Sequence, residues 1–226
     1  MTDLRLVIFD VDGTLVDSQA DILAAMSSAF DRAGAPAPTR ADILGIVGLS
    51  LEVAIPRLAP DLPAATQTHM VQWYKDAYVA LRAKVGAAES SPLYPHVRDT
   101  LDTLRAQPET LLGVATGKSR RGLDKLIEGH GLQSIFVTQQ VSDHHPSKPH
   151  PAMLLSALSE TGLDPQQAVM IGDTTFDMDM AKAANIPFIG VSWGYHTPSR
   201  LTDAVAILDD MRELPAVLST HWESAA

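Results

Sequence analysis

The chain has 226 residues, 46% hydrophobic and 19% charged, with no cysteine. That balance describes a globular chain with room for one large domain, or for one domain carrying a smaller insert, and it excludes disulfides, thiolate metal sites and cysteine catalysis. The formal net charge of −10 argues against nucleic-acid or anionic-membrane partners, since both need a basic surface.

The run from Leu4 to Phe9 is apolar apart from Arg5 and predicts a first strand over Leu4–Asp10. It is too short for the hydrophobic region of a signal peptide and runs straight into DVDG. No apolar segment reaches the roughly 20 residues of a membrane span, so a soluble cytoplasmic protein is expected. Asp10, Asp12 and Asp17 then follow in quick succession. Carboxylates at the end of a buried strand repel one another and lose solvation, so something must offset them.

Residues 17–89 show no strand pattern. ADILAAMSSAFDRAG, a capping-box signature from Thr39 to Asp42, and the run Ala65–Val85 are all helical in character. Asp17 or Ser18 reads as the cap of the next helix, with Asp21 at capping-box spacing after Ser18. AESSPLYP then breaks the pattern with serines and prolines. Strands are predicted beyond it at Leu111–Thr116, Ile135–Thr138, Ala168–Asp173, Phe188–Val191 and Val205–Leu208. Helices are predicted between them at Thr100–Ala106, Arg120–His130, Ala152–Thr161 and Phe176–Ala184. The alternation predicts an α/β fold, a doubly wound parallel sheet interrupted after its first strand by a helical insert.

Ligands of such sheets collect at the carboxyl ends of the strands. The first strand delivers FDVDGT there, the second VATGKS and the fourth IGDTTFD, while SKPHP places Lys148 in a proline-bounded loop. Each group alone has an ordinary explanation. Asp177 has capping-box spacing after Thr174, Lys148 reads as a solvated loop lysine, and Thr116 as a strand end or helix cap. The combination carries the argument.

Rival motifs fail on spacing. Gly117-Lys118-Ser119 resembles the tail of a phosphate-binding loop, but the earlier glycine it requires falls at Leu112. An EF-hand glycine comes too early in FDVDGT and is missing from GDTTFDMDM. His144 and His145 sit side by side in a loop and read as solvated. An all-oxygen donor set favours Mg²⁺, which takes one or two carboxylates together with substrate phosphate oxygens. With a lysine and a hydroxyl nearby, that suits a phosphoryl group in transfer.

With DVDGT, ATGK, SKP and GDTTFD in that order over nearly its whole length, the chain resembles the haloacid dehalogenase (HAD) superfamily of phosphohydrolases. LVDS, LYPHV and VSWGYH are similar to stretches of its phosphoglycolate phosphatase-like members. The resemblance implies a Rossmann-like core over residues 1–16 and 90–226 and a helical C1-type cap over residues 17–89. It makes Asp10 the nucleophile that forms an aspartyl-phosphate, and Asp12 the general acid and base, with crowding beside Asp10 favouring its protonated form.

Mg²⁺ would be held by Asp10, Asp173 and the Asp12 carbonyl, with Asp177 orienting the metal's waters or Lys148. The Thr116 hydroxyl and the Gly117 N–H would hold phosphoryl oxygens, and Lys148 would balance their charge. The implied partner is a small phosphorylated metabolite, with phosphoglycolate the first candidate and the oligomeric state open. The alternative is a sugar phosphomutase of the β-phosphoglucomutase type, which needs a cap cation for its second phosphate. The cap loop Gly48-Leu49-Ser50-Leu51 offers none, and the nearest basic residues are Arg40 and Arg57. A receiver-like signalling domain disagrees in the order of its groups and in length.

Overall fold

The computed structural model describes residues 4–225. Its strands are β1 (Arg5–Phe9), β2 (Thr110–Thr116), β3 (Thr138–Val141), β4 (Ala168–Gly172), β5 (Phe188–Val191) and β6 (Ala206–Leu208). They form one parallel sheet in the order β3-β2-β1-β4-β5-β6. From β1 the chain runs outward through β2 and β3, then returns to lay β4 against the other side of β1. The strand order therefore reverses between β1 and β4, the point at which sheets of this kind open a ligand crevice.

β1 shows why the sheet is covered on both faces. Leu6, Val7, Ile8 and Phe9 have no exposed surface. Val7 and Phe9 pack with Leu101, Leu104, Leu123 and Leu214, whereas Leu6 and Ile8 pack with Met153, Leu154, Met178 and Ala181. Alternate side chains point to opposite faces, so a strand buried on both must be apolar throughout. Each such side chain contributes roughly 1.5–3 kcal/mol. The covering helices are α6 (Val97–Arg105), α7 (Arg120–Gly129) and α10 (Leu214–Ala225) on one face, and α8 (Ala152–Thr161) and α9 (Thr175–Ala183) on the other.

The insert holds α1 (Gln19–Ala33), α2 (Arg40–Leu44), α3 (Leu51–Leu58), α4 (Ala64–Val85) and the single turn α5 (Ala87–Ser90). Ile22, Ala25, Met26, Ala29 and Phe30 recur at helical spacing on one face of α1 and meet Ile55, Met70 and Tyr74 in a third apolar cluster. Gly34 ends α1 in the left-handed conformation, and Thr39 with Asp42 forms the predicted capping box of α2. The chain leaves and re-enters the sheet side by side. Val16 pairs antiparallel with Leu93, and Asp17 N–H donates to the Pro92 carbonyl at 2.9 Å. Among the described residues, no helix is long and apolar enough to cross a membrane.

The third strand departs from expectation: it spans Thr138–Val141, not Ile135–Thr138. Ile135 and Phe136 are buried, but they plug the end of the core from a turn. β3 is a sheet edge paired only with β2, and such a position tolerates the polar sequence TQQV.

Candidate active site

The first turn after β1 sets the frame. Gly13 has φ +93°, and a Cβ there would lie 2.3 Å from Asp173 Oδ2, so glycine allows the β1 and β4 loops to approach. Thr14 Oγ1 donates to Asp173 Oδ1 at 3.0 Å, and the Tyr195 N–H donates to Oδ2 at 2.8 Å. Asp173, at the end of β4, is thereby fixed across the crevice from Asp10 at the end of β1.

Lys148 closes the floor. Its Nζ lies 2.6 Å from Asp10 Oδ1 and 2.6 Å from Asp177 Oδ1, and all three side chains are buried. The solvated-lysine reading is therefore wrong. The proline-bounded loop carries this side chain inward, where burial without a partner would be prohibitive. Burial works to lower its pKa, but Asp10 and Asp177 outweigh burial and hold it above the ordinary lysine value. Asp177 does double duty. Its Oδ2 accepts from Thr174 Oγ1 at 2.6 Å and completes the capping box of α9, while Oδ1 takes Lys148.

Asp10, Asp173 and Asp177 bring carboxylate oxygens within 4.8 Å of one another. Burial, and then the Asp177 charge, push Asp10 up to about 7 despite Lys148. Burial and the two neighbouring carboxylates raise Asp173 well above its ordinary value. Asp10 Oδ2 is buried and has no hydrogen-bond partner. Crowded hard oxygens, one of them unmatched, fit a divalent cation such as Mg²⁺. Of the three, only Asp10 has an oxygen without a partner; Asp173 accepts from Thr14 and the Tyr195 N–H, and Asp177 holds Lys148 and Thr174.

Asp12 sits in a different environment. Lys118 Nζ lies 2.5 Å from its Oδ1 and 2.6 Å from its Oδ2, and Ser18 Oγ also donates to Oδ1. Burial works to raise the Asp12 pKa, but Lys118 and Ser18 outweigh it and hold the carboxyl below its ordinary value. The resemblance implied a protonated Asp12; in the structure Lys118 and Ser18 instead favour its ionised form, while burial works to raise Asp10. The capping role expected of Ser18 with Asp21 fails for the same reason. Ser18 stands at the N-cap of α1 without a capping bond, its hydroxyl turned to Asp12, while Asp21 accepts from Ser90 Oγ.

Thr116, the last residue of β2, is buried beside the site, and its Oγ1 accepts from the Lys118 N–H at 3.2 Å. A Cβ on Gly117 would lie 2.6 Å from the Gly48 carbonyl, so glycine lets the insert's loop rest on the strand end. The same loop is tied down by Ser50 N–H donating to Ser147 Oγ at 2.9 Å and by His196 Nε2 donating to the Gly45 carbonyl at 3.1 Å. Beneath lies a cavity of about 1050 Å³ lined by Asp10, Asp12, Thr116 and Gly117 together with Gly48, Tyr78 and Arg82. Of the seven candidates, Asp10, Asp12, Thr116 and Gly117 line this cavity, while Lys148, Asp173 and Asp177 lie beneath or beside them.

The two basic residues nearest the cap loop do not line that cavity. Arg40 donates to Gln19, and Arg57 lies over the Phe176 ring. The cations that line it include Lys118 and, from α4, Arg82, neither of which the sequence reading assigned a role. Lys118 was visible only as the residue after ATG, and its partner lies 106 positions away.

Residues 7–191 match the model of the family described as haloacid dehalogenase-like hydrolase. The protein named "Probable phosphatase IndB" of Dickeya dadantii is 38% identical over 88% of this chain and 86% of its own length. The phosphoglycolate phosphatase of Nitrosococcus oceani is 31% identical over 95% of this chain and 96% of its own. A haloacid dehalogenase-like hydrolase of Streptococcus pneumoniae, 28% identical, superposes with a TM-score of 0.82 over 96% of this chain and 100% of its own.

Proposed function

The chain belongs to the haloacid dehalogenase-like hydrolase family and is a phosphoric monoester hydrolase, and on that premise we propose that it works through a phosphorylated Asp10 with Mg²⁺. Its substrate is a small phosphate monoester, with phosphoglycolate first to be tried because several relatives bear that name. The observation that carries this reading is the state of Asp10: one oxygen held by Lys148, the other buried without a partner.

We take residues 90–226 with residues 1–16 as the core and residues 17–89 as the cap. Mg²⁺ would be held by Asp10, Asp173 and the Asp12 carbonyl, and supplies positive charge that keeps the carboxylates ionised and the phosphoryl group neutralised. Lys148 holds Asp10 in line, and Asp177 holds Lys148. The Thr116 hydroxyl and the Gly117 N–H, close to the N-terminus of α7, receive phosphoryl oxygens.

The Asp10 carboxylate attacks phosphorus, the bond to the leaving oxygen breaks, and that oxygen takes a proton from Asp12. A water then attacks the aspartyl-phosphate, giving its proton to Asp12 while Asp10 leaves as a carboxylate. Lys118 governs the timing. Paired with Lys118, Asp12 is a base; when substrate negative charge draws Lys118 away, Asp12 takes up a proton from solvent and delivers it to the leaving oxygen. The proton it later receives from the attacking water returns to solvent as Lys118 re-pairs.

The test is phosphate release from a panel of monoesters with Mg²⁺, with and without chelator. Free phosphate that disappears on chelation is expected. Isomerised hexose phosphate with little free phosphate, or a rate indifferent to chelation, would overturn the reading.

A further inference from the structure

The cavity is lined by one buried cation that this chemistry leaves unused. Arg82, close to the C-terminal end of α4, is 9% exposed and lines the cavity. Lys118 and Lys148, buried nearby, each hold carboxylates at 2.5 to 2.6 Å. Among the described residues Arg82 forms no ion pair, and its direct partners are neutral. Its Nη1 donates to the Gly122 carbonyl at 3.2 Å and its Nη2 to Ser91 Oγ at 3.4 Å. Its guanidinium lies 4.9 Å from the Tyr78 ring centroid, and its buried Nε has no partner.

Withdrawing a guanidinium from water without an anion to match it is costly, and long neutral hydrogen bonds with one aromatic face offset only part. The chain carries 27 acidic residues, yet among the described residues none is paired with Arg82. The position is informative. Lys118 Nζ, which holds Asp12, lies 5.4 Å from the same Tyr78 ring centroid. Arg82 thus shares the Tyr78 ring and the cavity wall with the lysine that holds Asp12.

We infer that Arg82 is a specificity residue: it receives a carboxylate carried by the leaving group, which makes phosphates of hydroxy acids the preferred substrate class. This rests on the hydrolase reading and narrows it. The cap loop at Gly48–Ser50 is neutral and already seated on Gly117 and Ser147, so the long helix α4 supplies the charge the loop lacks. At about 1050 Å³ the cavity admits acids larger than glycolate.

The experiment compares the Mg²⁺-loaded enzyme on 2-phosphoglycolate and on 2-hydroxyethyl phosphate, in which the carboxylate is replaced by a neutral CH₂OH. The wild type should prefer phosphoglycolate by about tenfold or more in kcat/KM, as sites built around a polar group do. In Arg82→Gln that preference should collapse by about 10- to 100-fold, mainly through KM. Arg82→Lys should restore part of it. A purely structural Arg82 would lower both substrates alike and leave the ratio unchanged, which overturns the inference but not the hydrolase reading. If Arg82→Gln does not fold, the wild-type ratio decides, and a ratio near one overturns the inference. Failure to release phosphate from any monoester would overturn the hydrolase reading and this inference together.

Discussion

The carboxyl ends of the strands and the helical insert above them hold charge in opposite ways. At the strand ends the cation Lys148 is locked between Asp10 and Asp177 by two contacts of 2.6 Å. In the insert, Arg82 rests on carbonyl, hydroxyl and ring. The first arrangement is complete within the protein except at one carboxylate oxygen, and it serves a reaction common to many substrates. The second is left for the substrate to complete. One scaffold thus separates what the reaction requires from what the substrate selects.

Breaking the strand-end arrangement should have the largest effect. Asp10→Asn is nearly isosteric but a poor nucleophile, so turnover should be abolished with the fold intact, as phosphate release and circular dichroism would show. Asp12→Asn should cost about 10²- to 10⁴-fold in kcat, the usual range for an acid–base group. An Asp10→Asn protein with wild-type turnover would remove the distinction between the two regions.

Lys148→Met tests the same arrangement through stability. It leaves Asp10 and Asp177 buried beside each other without their cation, and should destabilise the fold by about 3–5 kcal/mol. In a chain of this size that lowers Tm by very roughly 10 °C, readable by calorimetry. Arg82→Gln, whose cation has no carboxylate partner, should lower Tm far less.

How much of this was legible in the sequence follows from what each residue depends on. Asp10, Thr116 and Asp173 lie at the ends of apolar strands, and strand ends can be read locally. The doubly wound sheet was legible for the same reason, as was the capping box at Thr39. Asp177 could be read as cap or as site residue, and its carboxylate both caps α9 and holds Lys148. Lys118 and Ser18 were missed because their common partner, Asp12, is brought to them by topology, across 106 and 6 positions. Arg82 was hidden in a helix with charged and polar residues around much of its surface, where one more arginine looks solvated. Ile135–Thr138 was misplaced because burial at a turn and burial in a strand give the same apolar signal.

The smallest effect concerns the seam between the two regions. The His196 ring is neutral: Nδ1 accepts from the Thr175 N–H at 3.0 Å, and Nε2 donates to the Gly45 carbonyl at 3.1 Å. Burial lowers its pKa below the ordinary 6.5, more than the Gly45 bond raises it. The folded protein therefore binds this proton less readily than the unfolded chain. The resulting stabilisation is complete above pH 6.5 and is lost as pH falls through the lower folded value. Tm should fall on acidification below that point, and His196→Phe should flatten part of this dependence. An identical pH profile in the variant would count against a neutral His196 at the seam.

The central claim is that phosphate passes through Asp10. Its most direct measurement uses Asp12→Asn with Mg²⁺ and p-nitrophenyl phosphate, a substrate whose leaving group needs no proton. Phosphorylation should then outrun hydrolysis, giving a burst of nitrophenolate stoichiometric with enzyme. Mass spectrometry after an acid quench should find a phosphoryl group on the peptide containing Asp10. Steady turnover with no burst and no phosphorylated Asp10 peptide, or a phosphoryl group on a different residue, would contradict the account.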